Sequence, residues 1–314
     1  MRLGDFLQRE LGDVHRLAVR QLLGDGAVAV NGATCTSDRR LRTGDVVSVL
    51  RQPDRRPVQA EHPVAAQDLR VLLETDSALV IAKPPALPTV PDRSGRDGGV
   101  HALLPALRPG ADLRIVHRLD RDTSGCLLLA KGLAAARHFD AAFRAHEVHK
   151  TYVALVQGVP TADEFPIDAW LGPDKRRPGK VVASADERPG FRSAHTKVVV
   201  QQRFERHALL ALHPTTGRGH QLRVHLQSVG HPIVADLDYG GERPLLSQWK
   251  RGYKQRPGTV ERPLLERLFL HAQRLVGRDL DGRELDAEAP LPDDLTIVLR
   301  HLTKRAPRRS SPCD

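Results

Sequence analysis

A carboxylate with a cation on either side is the group in this chain best equipped for covalent chemistry. Asp120 stands inside the run Ile115-Val116-His117-Arg118-Leu119-Asp120-Arg121-Asp122-Thr123-Ser124-Gly125. Leu113 to Val116 reads as a strand leading in and Thr123-Ser124-Gly125 as a turn. Cys126 to Ala130 reads as an apolar strand leading out, closed by Lys131. The cations of Arg118 and Arg121 lower the pKa of a neighbouring carboxylate, so Asp120 is predicted to stay ionised. An ionised, oriented Asp can attack an electrophilic sugar carbon. An isolated Asp–Arg cluster is more often a structural salt bridge, and on these residues alone that alternative stands.

Three other segments carry groups that could serve the same chemistry. Lys150-Thr151-Tyr152 opens a strand, where a tyrosine is commonly a core residue with a satisfied hydroxyl. Thr216-Gly217-Arg218-Gly219-His220-Gln221-Leu222-Arg223-Val224-His225-Leu226 follows, continuing to Gly230-His231-Pro232-Ile233. A half-buried guanidinium needs a carboxylate or phosphate partner. Arg223 is therefore predicted to pair with Asp120, holding it ionised and aimed through charge-assisted bonds. Arg218 and His220, in the turn before the helix, are left to meet a phosphate. His220 and His225 are five apart, on different helix faces, and no HExxH pattern is present, so no metal site is expected. In Arg267-Leu268-Phe269-Leu270-His271-Ala272, Leu270 taken alone reads as an ordinary core leucine.

These strings together resemble the RluA-type pseudouridine synthases. His117 to Lys131 matches HRLDxxTSGxxxxAK at every fixed position, and Lys150 and Tyr152 match K-x-Y. Residues 216–226 and 230–233 match TGRxHQIRxHL…GHPI, with Leu222 for the usual Ile, a volume-conserving exchange. Arg267 to Ala272 matches Arg-x-x-Leu-His-Ala. In Lys83-Pro84-Pro85-Ala86, Ala86 replaces the glycine of Lys-Pro-x-Gly, which puts the shape of that loop in doubt. The resemblance spans residues 69 to 275 and implies an isomerisation. The N1–C1′ bond of a uridine breaks, the uracil turns and rejoins through C5, and neither cofactor nor metal is needed. The uridine must first be flipped into the pocket. Asp120 would attack C1′ or abstract a sugar proton, both routes being open. Arg223 would orient Asp120, Tyr152 would stack on the base with its hydroxyl a candidate for proton handling, and Leu270 would close a dry wall. Arg118, Arg218 and His220 would contact RNA.

The elements that must position these groups are of mixed type. Leu3, Phe6, Leu7 and Leu11 repeat at helical spacing, and His15 to Leu23 offers a second helix stopped by Gly24-Asp25-Gly26. The strand Ala27 to Val30 runs into the tight-turn pair Asn31-Gly32, and Val46 to Leu50 is a further strand. This order resembles the small S-four-type (αL) RNA-binding domain, with Arg16, Arg20, Arg39, Arg40 and Arg42 facing backbone phosphates. A dimerisation module could show the same pattern. The domains are expected at 1–51 (RNA-binding), 52–65 (a Pro-rich linker) and 66–303 (catalytic), followed by a disordered basic tail at 304–314. In the catalytic part strands are predicted at Leu69–Leu73, Leu79–Ala82, Tyr152–Gln157, Thr196–Val200, Leu209–His213 and Leu295–Leu299. Helices are predicted at Ala134–Glu147 and around Leu222–Val229, a mobile loop at 172–192 and an insertion at 245–266. The non-alternating order indicates an α+β fold with a mixed, mainly antiparallel sheet flanked by helices.

Composition agrees with a polyanionic partner. The chain has 314 residues and 48 Lys+Arg against 38 Asp+Glu, a net charge of +10. Aromatics at 4% argue against recognition by many stacked bases and for a reader of structured RNA. Cys35, Cys126 and Cys313 form no CxxC pair, which points to a reducing cytoplasm, and no stretch could span a bilayer. Large-subunit ribosomal RNA is the favoured substrate, with transfer RNA as the alternative, and nothing demands more than a monomer. Two rival classes remain. One is a non-catalytic RNA-binding or ribosome-assembly protein. The other is a nucleoside or glycoside hydrolase, whose retaining mechanism would need a second carboxylate, for which Asp122 is poorly suited.

Overall fold

The structure, a computed structural model, describes residues 2–11, 22–23, 26–50, 64–91, 98–250, 252–254 and 261–304. It divides into two compact units, residues 1–68 with 88–106, and residues 69–87 with 107–314.

In the first unit, helix α1 (Leu3–Glu10) turns Leu3 and Leu7 onto Leu22, Leu23, Val28, Val30 and Cys35. Strands β1 (Val28–Val30), β2 (Ala33–Thr34) and β3 (Val47–Val49) form an antiparallel sheet in the order β2-β1-β3. Asn31 (φ 52°) and Gly32 (φ 79°) make the two-residue hairpin, both in the left-handed region that an Asn-Gly pair tolerates. The Asn31 amide then ties this turn to the β3 side, donating to Asp45 at 2.9 Å and accepting from the Val46 N–H at 2.8 Å. Arg39, Arg40 and Arg42 are exposed. Arg16 and Arg20 lie outside the described residues, as do 52–63 of the expected linker and 305–314 of the expected tail.

The second unit is built on an 11-stranded sheet. Its strands are β4 (Arg70–Glu74), β5 (Ala78–Lys83), β6 (Leu113–Ile115), β7 (Ser124–Lys131), β8 (His149–Gln157), β9 (Glu164–Pro173), β10 (Val181–Ser184), β11 (Arg192–Arg203), β12 (His207–Pro214), β13 (Leu270–Arg278) and β14 (Glu284–Glu288). The order is β10-β9-β11-β12-β8-β13-β7-β5-β4, with β14 on β13 and β6 on β7. All pairings are antiparallel except β13 with β7, where His271 faces Ser124 and Ala272 faces Gly125. Helix α2 (Gly99–Leu107) precedes β6. Helix α3 (Gly132–Arg144) covers the sheet with Ala135, Ala136, Phe139 and Ala142, packed on Val80, Leu128 and Leu275. This apolar stripe at helical spacing is what makes the segment a helix. Helix α4 (Gln221–Ser228) lies against β9, β10 and β11, and α5 (Asp293–Thr303) closes the described chain.

Three local expectations are corrected. Leu295–Leu299 is not a strand but the middle of α5. Leu295, Val298 and Leu302 are its buried stripe, and Asp293 and Asp294 in its first turn and Arg300 and His301 in its last complement the helix dipole. Residues 172–192 are not a loop throughout, because β10 folds back on β9, pairing Val181 with Pro173 through Ser184 with Trp170. Ser124 and Gly125 belong to β7 rather than to a turn. The turn comes earlier, with the Thr123 N–H donating to the Asp120 carbonyl at 3.1 Å. Gly125 is required there, for its φ is 118° and a Cβ would lie 2.1 Å from the Ala272 carbonyl oxygen. Of the expected insertion, Leu246–Trp249 forms one helical turn, while 251 and 255–260 lie outside the described residues.

Candidate active site

Asp120 sits in the turn between β6 and β7, and four side chains pin that turn from within the second unit. His117 accepts the Leu128 N–H through Nε2 at 2.8 Å, fastening the approach to the middle of β7. An acceptor nitrogen must be unprotonated, and burial, with the charge of Lys150, pushes the His117 pKa down to about 3. Lys83, at the end of β5 and 1% exposed, donates to the carbonyls of Pro84 (2.8 Å), Leu87 (2.7 Å) and Arg121 (2.9 Å). Burial pushes its pKa down to about 7, and the charges of Asp122 and Asp120 oppose a further fall. Arg121 donates back to the Ala86 carbonyl at 3.2 Å, so the Lys83-Pro84-Pro85-Ala86 loop and the Asp120 turn are stitched in both directions. The loop keeps the left-handed backbone that a glycine would adopt there, since Ala86 has a φ of 61°. Arg267 forks onto Asp294 of α5 at 2.7 and 3.0 Å and reaches the Asp122 carbonyl at 3.4 Å.

Tyr152 lies in β8 between Leu212 of β12 and Ala272 of β13 and is buried. Burial, and the charge of Asp120, raise its phenol above the ordinary tyrosine range, so it stays protonated at neutral pH. Leu270 is the first residue of β13, opposite Ala154 of β8, and is also buried. Its neighbour His271 donates from Nε2 to the Ala289 carbonyl at 3.0 Å. That leaves Nδ1 to accept from the Ser124 hydroxyl at 2.9 Å and couples the start of β13 to that of β7.

Arg223 is brought to Asp120, but not as a hydrogen-bonded partner. Nη1 stands 3.7 Å from Asp120 Oδ2, beyond hydrogen-bonding range. The carboxylate that satisfies the buried guanidinium is Asp236, which accepts from Nε and from Nη2, each at 2.7 Å. Nη2 also donates to Asp238 at 3.2 Å, and Asp238 is ion-paired with Lys180. The Tyr239 ring lies beneath, its centroid 4.8 Å from the guanidinium carbon. Burial disfavours the charge on Arg223, but the Asp236 hydrogen bonds and the surrounding carboxylates outweigh it and hold the group protonated. A cavity of about 210 Å³ beside this cluster is lined by Asp122, Arg223, Asp236, Asp238 and Arg267 among others.

The RNA-facing candidates separate by exposure. Arg118 is exposed. Arg218 is half-buried and donates from Nε to the Ser193 carbonyl at 3.0 Å. His220 is half-buried, with Nδ1 2.7 Å from the Tyr239 hydroxyl and a left-handed φ of 54°. Both are therefore engaged by the protein, His220 through the Tyr239 whose ring lies beneath Arg223. Sequence reasoning missed Asp236, Asp238, Tyr239, Lys180 and Lys83. The need of a buried arginine for an acid was the available signal, and Asp236, 13 residues after Arg223, was the acid to consider. Among the described residues no group of three or more His, Cys, Asp or Glu side chains is arranged to hold a metal ion, and no helix is long and apolar enough to cross a membrane.

Asp120 in a pinned turn, Arg223 beside it and the buried, protonated phenol of Tyr152 on a central strand form one constellation within the second unit. The family described as RNA pseudouridylate synthase matches residues 77–228. The ribosomal large subunit pseudouridine synthase C of Yersinia pestis is 35% identical over 314 residues, 97% of this chain and 93% of its own. That of Vibrio parahaemolyticus is 33% identical over 311 residues, 96% and 93% of the two chains. Among solved structures, the human RNA Pseudouridylate Synthase Domain Containing 4 is similar, with 27% identity and a TM-score of 0.59 over 76% of this chain and 95% of that one. The chain belongs to the RNA pseudouridine synthases, in their RluA-type family.

Proposed function

We propose that this enzyme converts uridines of large-subunit ribosomal RNA to pseudouridine, with Asp120 as its nucleophile. The substrate class rests on the relatives, which are ribosomal large subunit pseudouridine synthases. The role of Asp120 rests on one observation above the others: its turn is fastened by His117, Lys83 and Arg121 to β5 and β7, while its carboxylate faces Arg223 without being clamped by it. A carboxylate held in place but free of a bidentate partner keeps its lone pairs available for attack.

Asp120 attacks C1′, and the ester bond so formed breaks again when C5 takes C1′, or Asp120 removes a sugar proton first and returns it once C5 is joined to C1′. In either case the N1–C1′ bond breaks, a C5–C1′ bond forms, and the proton displaced from C5 is matched by one gained at N1, so the product is an isomer of the substrate. Arg223 stabilises the carboxylate as its charge changes. Tyr152 offers a ring to the flipped base, and its protonated phenol can donate but not accept a proton at neutral pH. Leu270 excludes water from the base. The exposed Arg118 meets phosphate, and residues 1–51, with Arg39, Arg40 and Arg42, add RNA affinity outside the catalytic domain of residues 66–303. A cytoplasmic location follows from that substrate.

The test is pseudouridine mapping in ribosomal and transfer RNA from cells lacking the gene, complemented with wild type or with Asp120→Asn. Large-subunit sites that vanish and return only with wild type are the expected result. Sites lost from transfer RNA would overturn the substrate, and restoration by Asp120→Asn would overturn the nucleophile. In vitro, Asp120→Asn is expected to bind RNA within about twofold of wild type while forming no product.

A further inference from the structure

We propose that Asp236 is a positioning residue for catalysis: by occupying one edge of the Arg223 guanidinium, it aims that group at Asp120 and keeps it from closing onto Asp120. The proposal rests on the reading of Asp120 as the nucleophile.

A guanidinium offers planar edges that suit a carboxylate bidentately. Asp236 takes the edge formed by Nε and Nη2, at 2.7 Å to each. Asp238 takes a further contact from Nη2 at 3.2 Å. The end of the group that remains, Nη1, is the one directed at Asp120, and it stops at 3.7 Å. Without Asp236, a charged group this close to a carboxylate would rotate and form the fork with Asp120 itself. A forked carboxylate has its in-plane lone pairs engaged and is a poorer nucleophile.

The backbone is built to put Asp236 there. Val234 donates to Leu155 of β8 and accepts from Phe269, both at 2.9 Å, which ties the segment to the sheet end. Ala235 then adopts a φ of 62°, a conformation that L-residues avoid. The Asp236 carbonyl accepts from Tyr239 at 3.0 Å and from Gly241 at 2.8 Å. A Cβ on Gly241 would lie 1.8 Å from the Ile233 carbonyl oxygen, so the loop closes as tightly as a backbone can. The residue so placed is 2% exposed, while Asp238, on the rim, is balanced by Lys180. Among the described residues the Asp236 carboxylate is hydrogen-bonded by the side chain of Arg223 alone, so it acts through that partner.

The experiment compares single-turnover rates and RNA affinities of wild type, Asp236→Asn, Arg223→Lys and the double variant, with Asp120→Asn alongside. Asp236→Asn is expected to slow turnover about 10- to 100-fold with affinity within about twofold of wild type. If Asp236 acts through Arg223, adding Asp236→Asn to Arg223→Lys costs little more. A rate for Asp236→Asn near wild type, or losses that multiply in the double variant, overturns the proposal. A second readout needs no variant. In the unmodified protein the Nε–H of Arg223 should exchange with water far more slowly than those of exposed arginines, and equal rates overturn the proposal even if Asp236→Asn does not fold. Turnover by Asp120→Asn would instead overturn the nucleophile, a distinguishable failure.

Discussion

His117 shows how a single ring nitrogen sets the conditions under which the site exists. Its Nε2 accepts the Leu128 N–H only while unprotonated, and its pKa lies at about 3 in the fold against 6.5 as its ordinary value. His225, buried on α4, is likewise pushed down to about 4 by burial. For both, the unfolded chain takes up a proton as pH falls through 6.5 while the folded chain does not. The stability they contribute is therefore full above pH 6.5 and is lost progressively toward pH 3 to 4, by up to about 1.4 kcal/mol per pH unit for each group. Urea midpoints measured from pH 7 to 4 should fall, and His117→Gln should flatten that slope. A midpoint independent of pH would contradict the assigned hydrogen bond. The Asp120 string was legible as chemistry because its residue types are reactive. His117 and Lys83 were visible only as members of strings, because what they do is hydrogen-bond to backbone, and a sequence does not show which carbonyls will lie near.

At the scale of elements, the legible pieces are those whose burial has a period. The stripe of α3 and the alternating or continuous apolar runs of β5, β7, β8 and β12 are of this kind. Leu295-Thr296-Ile297-Val298-Leu299 reads as a strand because β-branched residues crowd a short window, and only the acidic and basic ends of α5 distinguish it. The β9–β10 hairpin was hidden because its pairing is carried by backbone, through a segment rich in Pro, Gly and charge. The bidentate partner of Arg223, Asp236, was missed for a related reason. Asp236 lies in a loop without periodicity, and only the left-handed turn at Ala235 swings it inward. The loop at Ala86 offers a direct test of such strain. A left-handed L-residue costs about 1–2 kcal/mol, and glycine in its place adds about 0.5–1 kcal/mol of unfolded-state entropy. Ala86→Gly is thus expected to raise stability by up to about 1 kcal/mol with turnover unchanged, read from the denaturation midpoint and initial rate. A lower midpoint would show that the conformation carries no strain.

The whole molecule carries an excess of ten positive charges, and how they are divided decides how it finds its RNA. The first unit places Arg39, Arg40 and Arg42 on exposed surface, away from any catalytic group of its own. Replacing all three with Ser should weaken RNA binding, lower the slope of log affinity against log salt by about 2–3, and leave the chemical step at saturating RNA unchanged. An unaltered salt slope would assign those arginines another purpose. The small sheet of this unit was readable from Asn31-Gly32 and the flanking valines. The proposed role of this unit in binding rests on charge and resemblance together.

Sheet order also governs when the enzyme comes into being. Strand β13 is the seam between β7 and β8, and it sets His271 beside Ser124, residues synthesised nearly half the chain apart. A nascent polypeptide that has emerged only as far as Arg267 already holds Asp120, Tyr152 and Arg223, yet lacks the strand that pairs the two halves of its sheet. Catalytic competence thus waits on the final strands rather than on the residues that perform the chemistry.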